Sequence, residues 1–203
     1  MKKFLTYILT MSVLVGLASA QDYLPMQFER VGDAFVATGV IDDTTIDAFE
    51  DALDEHPDVR ILVLAFVEGS VDDDSNLELS RIVREEGFAT RVPSNGLVAS
   101  GGTDLFLAGA KRELESGACV GVHSWSDGRN AATAFPRDSE EHSKYLDYYE
   151  EMGTPTDFYW FTIEAAPADG MHWMNKAEVS KYRLATSIVM KLGSRSSCES
   201  RLQ

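Results

Sequence analysis

The chain has 203 residues, with 33 acidic against 18 basic side chains and a formal charge of −15. A surface so acidic repels nucleic acid and anionic lipid, which excludes both as partners. The length suits one domain with a sizeable core, and no histidine or cysteine pair has the spacing of a metal site, so no cofactor or metal is expected.

Lys2 and Lys3 precede an apolar run from Phe4 to Leu17, and Ala18-Ser19-Ala20 ends it. A basic start, a short apolar stretch and an A-x-A site are the parts of a cleaved signal peptide, with cleavage after Ala20. The run is short for a bilayer span, which leaves an uncleaved anchor as the rival reading. Loss of the leader takes the charge from −15 to −17. Residues 21–203 then form an exported domain, periplasmic or secreted. Cys119 and Cys198 either close one bridge in such an oxidising compartment or stay free.

Two β-like runs, Met26 to Arg30 and Ala34 to Val40, open the domain. Ile46, Phe49 and Leu53 then recur at helical spacing behind Asp42 and Asp43, and Pro57 closes that helix. "VRILVLAF" (Val59 to Phe66) is a continuous apolar run of strand length, expected where both faces of a parallel strand are covered. A helix from Asp74 to Glu86, stopped by Gly87, leads to a strand from Phe88 to Val92. Helix and strand therefore alternate, the pattern of an α/β domain. Asp72-Asp73-Asp74 lacks the ligand spacing of a calcium loop and reads as acids at a helix start.

"VASGGTDLFLAG" (Val98 to Gly109) reads as a strand end, a sharp turn and an apolar helix, with Ser100 at the bend. "ACVGVH" (Ala118 to His123) is a further strand ending on a histidine. Acyl transfer needs a hydroxyl, a base within reach and N–H donors aimed at the oxyanion. Ser100 can be the hydroxyl and His123 the base. The Gly69 turn after the buried strand and the Gly101 turn can supply the donors, all at strand C-terminal ends. Helices from Ser139 to Met152 and after Pro155 carry an aromatic cluster, either a binding platform or packing. His142 and His172 read as surface or supporting residues.

"LVLAFVEGSVDDDSNLELSRIVREEGFATRV", "VASGGTDLFLAGAKR" and "GACVGVHSW", in that order, resemble the proteolytic subunit of Clp-type serine proteases, and most closely its exported, stand-alone members. The interval of 23 residues from Ser100 to His123 agrees. The resemblance runs from about Val36 to Thr186. It implies a crotonase-like α/β fold of repeated ββα units, with a helical handle-like insertion at 138–164 that makes a homo-oligomer plausible. It maps Ser100 onto the nucleophile, His123 onto the general base, and Gly69 and Gly101 onto the oxyanion hole. Glu68 stands where the family has glycine. The triad aspartate falls on Met171 without gaps, so Asp169 is the substitute.

The implied activity is an energy-independent peptidase acting on peptide or protein substrates. There is no ATP outside the cell and no P-loop in the chain, so no ATPase partner is expected. Two alternatives stay open: a binding or assembly module that has lost its chemistry, and a Ser-Lys protease resembling signal peptide peptidases, with Lys144 as base. An acyl-CoA enzyme of the same fold is disfavoured by export and by acidity.

Overall fold

The computed structural model describes residues 23–187 and 189–202. The expected leader, 1–20, lies outside them. The first two strands, β1 (Gln27–Val31) and β2 (Ala34–Thr38), form an antiparallel hairpin whose tight turn uses Gly32 at φ +64°. Helix α1 (Thr45–Glu55) buries Phe49 and leads to β3 (Ile61–Val67). Helix α2 (Asp73–Glu85) is capped by the Asp72 carboxylate, which accepts from the N–H groups of Asp74 and Ser75. That cap satisfies amides a helix start otherwise leaves free. Strands β4 (Ala89–Val92) and β5 (Leu97–Ala99), helix α3 (Gly101–Leu107), and strands β6 (Lys111–Leu114) and β7 (Cys119–Val122) follow.

All but one of the later pairings are parallel, and β3 is where the sheet divides. One edge of β3 pairs with β2; on the other, Ile61–Val63 pair with β4 while Phe66–Val67 pair with β5. One branch continues from β4 to β6 and the other from β5 to β7. Helix α3 packs in the fork, against strands of both branches and against α2. Its apolar side chains Leu105, Phe106 and Leu107 are fully buried there. This is the α/β arrangement of repeated ββα units, and it aims the C-terminal ends of β3, β5 and β7 at one place.

Beyond β7 the chain is mainly helical: α4 (Ser143–Glu151), α5 (Asp157–Ala165), α6 (Lys176–Lys181) and α7 (Arg195–Glu199). The segment 138–164 expected to be handle-like thus holds α4, all but the last residue of α5, and a preceding 3-10 turn at Glu140–His142. The helix expected from Ser139 starts four residues later because that turn takes its place. Two strands were not anticipated. Strand β8 (His172–Trp173) runs antiparallel to β7, and β6 carries only one apolar residue. Its other buried side chain is Arg112, whose guanidinium donates to the carbonyls of Leu184 at 2.6 Å and Arg183 at 3.1 Å. A buried charge saturated by main-chain acceptors pins the C-terminal segment to the sheet.

Candidate active site

Ser100 sits between β5 and α3 with φ 51° and ψ −128°. It is one of two non-glycine residues at positive φ among the described residues. Such a bend costs an L-residue on the order of 1–3 kcal/mol, held only because its surroundings leave no alternative. Those surroundings are visible. The Ser100 N–H donates to the Gly121 carbonyl at 3.1 Å, and the Thr103 hydroxyl donates to the same carbonyl at 2.8 Å. Thr103 N–H returns to the Ser100 carbonyl at 2.8 Å. The serine bend is thereby locked to β7, the strand that leads into His123.

Gly69 faces Ser100 from the end of β3. Its φ is +153°, and a Cβ there would stand 3.0 Å from the Ser100 Cβ. Only glycine brings a backbone this close. Gly101 is equally confined, since a Cβ would run into the Ser70 side chain and come within 2.9 Å of Asn76 Nδ2. Neither the Gly69 nor the Gly101 N–H has a hydrogen-bond acceptor among the described residues. Two free amides beside a strained hydroxyl are what an oxyanion requires.

Ser100, Gly101 and His123 line one small recess, partly open to solvent. The imidazole is half-buried, and burial pushes its pKa below the ordinary 6.5, opposed in part by neighbouring main-chain groups and by the charge of Asp73. Nδ1 of His123 is buried without a hydrogen-bond partner. Asp169 is exposed and makes no hydrogen bond to it. The structure thus brings Ser100, His123, Gly69 and Gly101 together and leaves Asp169 outside.

Three other residues weighed in the sequence also fall outside the recess. Lys144, the alternative base, is exposed and paired with Asp74 at 2.7 Å. Glu68 is exposed on an outer groove beside Phe66, so its carboxylate does not enter the oxyanion site. His142, read as a surface or supporting residue, is fully buried with its ring against the Tyr159 hydroxyl. The surface reading of His142 fails because the aromatic cluster around it is core: Tyr145, Tyr148, Tyr149, Phe158 and Tyr159 are all buried.

Two functional candidates escaped the sequence reading. Asp73, an acid at the start of α2, turns into the recess and accepts from Ser70 Oγ at 2.8 Å and Tyr145 Oη at 2.5 Å. Asp104 lies four residues after Ser100 and accepts from Tyr149 Oη at 2.6 Å. Burial, first, and the nearby Asp73 charge raise its pKa to about 7, against the opposing hydrogen bond from Tyr149. An acid inside the apolar run "GGTDLFLAG", on the face of α3 below Ser100, was the available signal.

A disulfide joins Cys119 on β7 to Cys198 on α7. It packs with Leu97, Ala99 and Trp173 beneath the strands that carry the site. Among the described residues no group of three or more His, Cys, Asp or Glu is arranged to hold a metal ion.

By sequence, the chain matches no protein-family model and no curated protein. By structure it is similar to the ClpP protease catalytic domain from Plasmodium falciparum: 15% identity, 74% of this chain and 81% of that one, TM-score 0.51. The chain has the Clp-protease, crotonase-like fold. A membrane-bound stomatin-specific protease in complex with a substrate peptide is similar at 15% identity over 77% of this chain and 73% of that one, TM-score 0.50. An enoyl-CoA hydratase/isomerase from Cupriavidus metallidurans is similar at 14% identity over 90% and 73%, TM-score 0.50. In this crotonase-like fold the divided sheet delivers Ser100 and His123 to one recess, and the fold by itself does not say what chemistry they carry.

Proposed function

We propose that the protein is an exported serine hydrolase, a peptidase working without ATP through a Ser-His pair. The observation that carries this reading is a strained Ser100 flanked by two unpaired glycine amides, with His123 on the wall of the same recess. In the reaction, Ser100 Oγ attacks the substrate carbonyl while His123 takes the hydroxyl proton. The Gly69 and Gly101 N–H groups receive the oxyanion, and His123 returns the proton to the leaving amine. Water then attacks the acyl-serine with His123 again as base, which frees the acid and restores the hydroxyl. Because burial lowers the His123 pKa, the imidazole is neutral at neutral pH and free to accept the serine proton.

Export is part of the proposal. It rests on the basic, apolar, A-x-A order of the first twenty residues and is supported by the Cys119–Cys198 bridge, which persists in oxidising compartments. A Ser-Lys mechanism has less support, since Lys144 is tied to Asp74 outside the recess. A chemically silent binding module is the second reading, favoured by the unpartnered Nδ1 of His123.

Labelling with a fluorophosphonate probe tests the choice. The expected result is labelling of the mature protein at Ser100, none in Ser100→Ala, and a loss of about 10²- to 10⁴-fold in rate in His123→Ala, the usual worth of a general base. Folded wild-type protein that fails to label decides for the binding module.

A further inference from the structure

The recess beside Ser100 has two chemically different parts. Its walls are aromatic: Tyr145 stacks on Trp125 with ring centres 5.8 Å apart and on Tyr159 at 5.5 Å. Trp125 Nε1 donates to the Tyr159 hydroxyl at 3.0 Å, so these rings are held as one rigid panel. Its floor is acidic, made of Asp73 and Asp104. Both Asp73 oxygens have donors, Ser70 and Tyr145. Asp104 has one, Tyr149 on Oδ1; no donor among the described residues reaches Oδ2. Asp104 is partly buried, and what remains exposed of it lines the recess.

Among the described residues no basic side chain balances these acids. Lys144 is paired with Asp74, and Arg81 with Glu151 at 2.6 Å. Arg84 and Arg112 are spent on main-chain carbonyls at the far end of α3. Of the titratable groups lining the recess with the two acids, His123 has its basicity depressed and the three tyrosines are neutral. A partly buried carboxylate with an open oxygen and no counter-charge is costly, and a cation supplied from outside relieves that cost.

We propose that this recess is the pocket for the substrate side chain next to the scissile bond and that it selects a cationic one, lysine or arginine, with Asp104 as the anchor and Asp73 as second acid. The dimensions agree. Ser100 and Asp104 are separated by four residues of helix, about 6 Å of rise. A four-carbon lysine stem spans that interval along the aromatic panel, and its ammonium arrives at Oδ2 of Asp104. The proposal rests on the hydrolase reading for its placement beside the reacting bond, but the cation pocket itself does not need the chemistry.

Two measurements keep the questions apart. Diphenyl phosphonate probes bearing lysine-, leucine- and glutamate-like side chains are compared for their rate of labelling Ser100. The expected preference for the lysine-like probe over the leucine-like one is about tenfold or more, the worth of one charge-assisted hydrogen bond. That ratio falls towards one in Asp104→Asn, and falls in part in Asp73→Asn. A protein that labels with no basic preference, or whose preference survives Asp104→Asn, overturns the pocket and leaves the hydrolase standing. If nothing labels, calorimetric titration of Ser100→Ala with n-butylammonium and with n-pentanol decides for the pocket alone. Ammonium binding weakened about tenfold by adding Asp104→Asn supports it, and equal or absent binding of the two compounds overturns it.

Discussion

The two sides of the recess are built to different standards. On the serine side every element is fixed by backbone: Ser100 is locked to Gly121, Gly69 presses against it, and two amides stand free. On the histidine side the imidazole follows directly from β7 with Nδ1 buried and unpartnered. The lesson is that the proposed nucleophile and oxyanion donors come from strand ends within the divided sheet, whereas a partner for Nδ1 of the proposed base would have to arrive from a distant loop. In this chain the loop after α5 brings Ala168 and exposed Asp169 past the site without placing a carboxylate on the ring.

The histidine side is instead held from below, and removing that support is the largest perturbation. The Cys119–Cys198 bridge spans 79 residues of sequence. Closing a loop of that length is worth on the order of 4 kcal/mol through the unfolded chain. Cys119→Ala with Cys198→Ala should therefore lose about that much in urea unfolding. Hydrogen exchange should rise most in β7 and β8, which flank the tie, and less in β3. A uniform rise across the sheet would mean that the bridge does nothing particular for the strand carrying His123.

The next effect concerns the floor on the serine side. With its pKa raised to about 7, Asp104 keeps its proton in the folded protein across a range where the unfolded chain, at 3.8, has lost it. The folded state then binds more protons, so this group's contribution to stability falls as pH rises from about 4 to about 7. Asp104→Asn mimics the protonated form and removes the dependence. The variant should match wild type near pH 4 and exceed it by on the order of 4 kcal/mol at pH 8, since each pKa unit is worth about 1.4 kcal/mol. Unfolding curves at the two pH values check this. Equal stability at pH 8 would mean that solvent in the recess already stabilises the carboxylate.

The same asymmetry governs what could be read in advance. Alternating apolar runs placed β3, α2, β5 and β7, and the serine, histidine and both glycines followed, because local backbone chemistry marks those positions. Strand β6 stayed hidden because Lys111-Arg112-Glu113-Leu114 presents one apolar residue, and the buried position opposite is an arginine satisfied by carbonyls some seventy residues away. Strand β8 is two residues long and exists only by pairing with β7. Asp73 and Asp104 were legible as residues but not as a pair. They come from different helices, and only the packing of α2 against α3 puts them on one floor. His142 misled for the converse reason: a polar residue in the polar stretch "EEHSKY" is drawn into the core by Tyr159 and the surrounding rings.

The smallest effect tests whether the serine side is as strained as its dihedrals imply. Glycine at position 100 relieves the cost of φ 51°, ψ −128° but adds unfolded-state entropy of about 0.5–1 kcal/mol. Alanine keeps the strain and loses only the hydroxyl. Ser100→Gly should thus be more stable than Ser100→Ala by about 1 kcal/mol net, with both unreactive towards the fluorophosphonate. Arg183, the other residue at positive φ, supplies the control. It follows α6 in the left-handed turn common after helices, where a side chain is better tolerated, so Arg183→Gly should gain less than Ser100→Gly. Equal gains at the two positions would show that the bend at Ser100 is an ordinary turn, and the contrast between a tightly built serine side and a loosely built histidine side would lose its energetic basis.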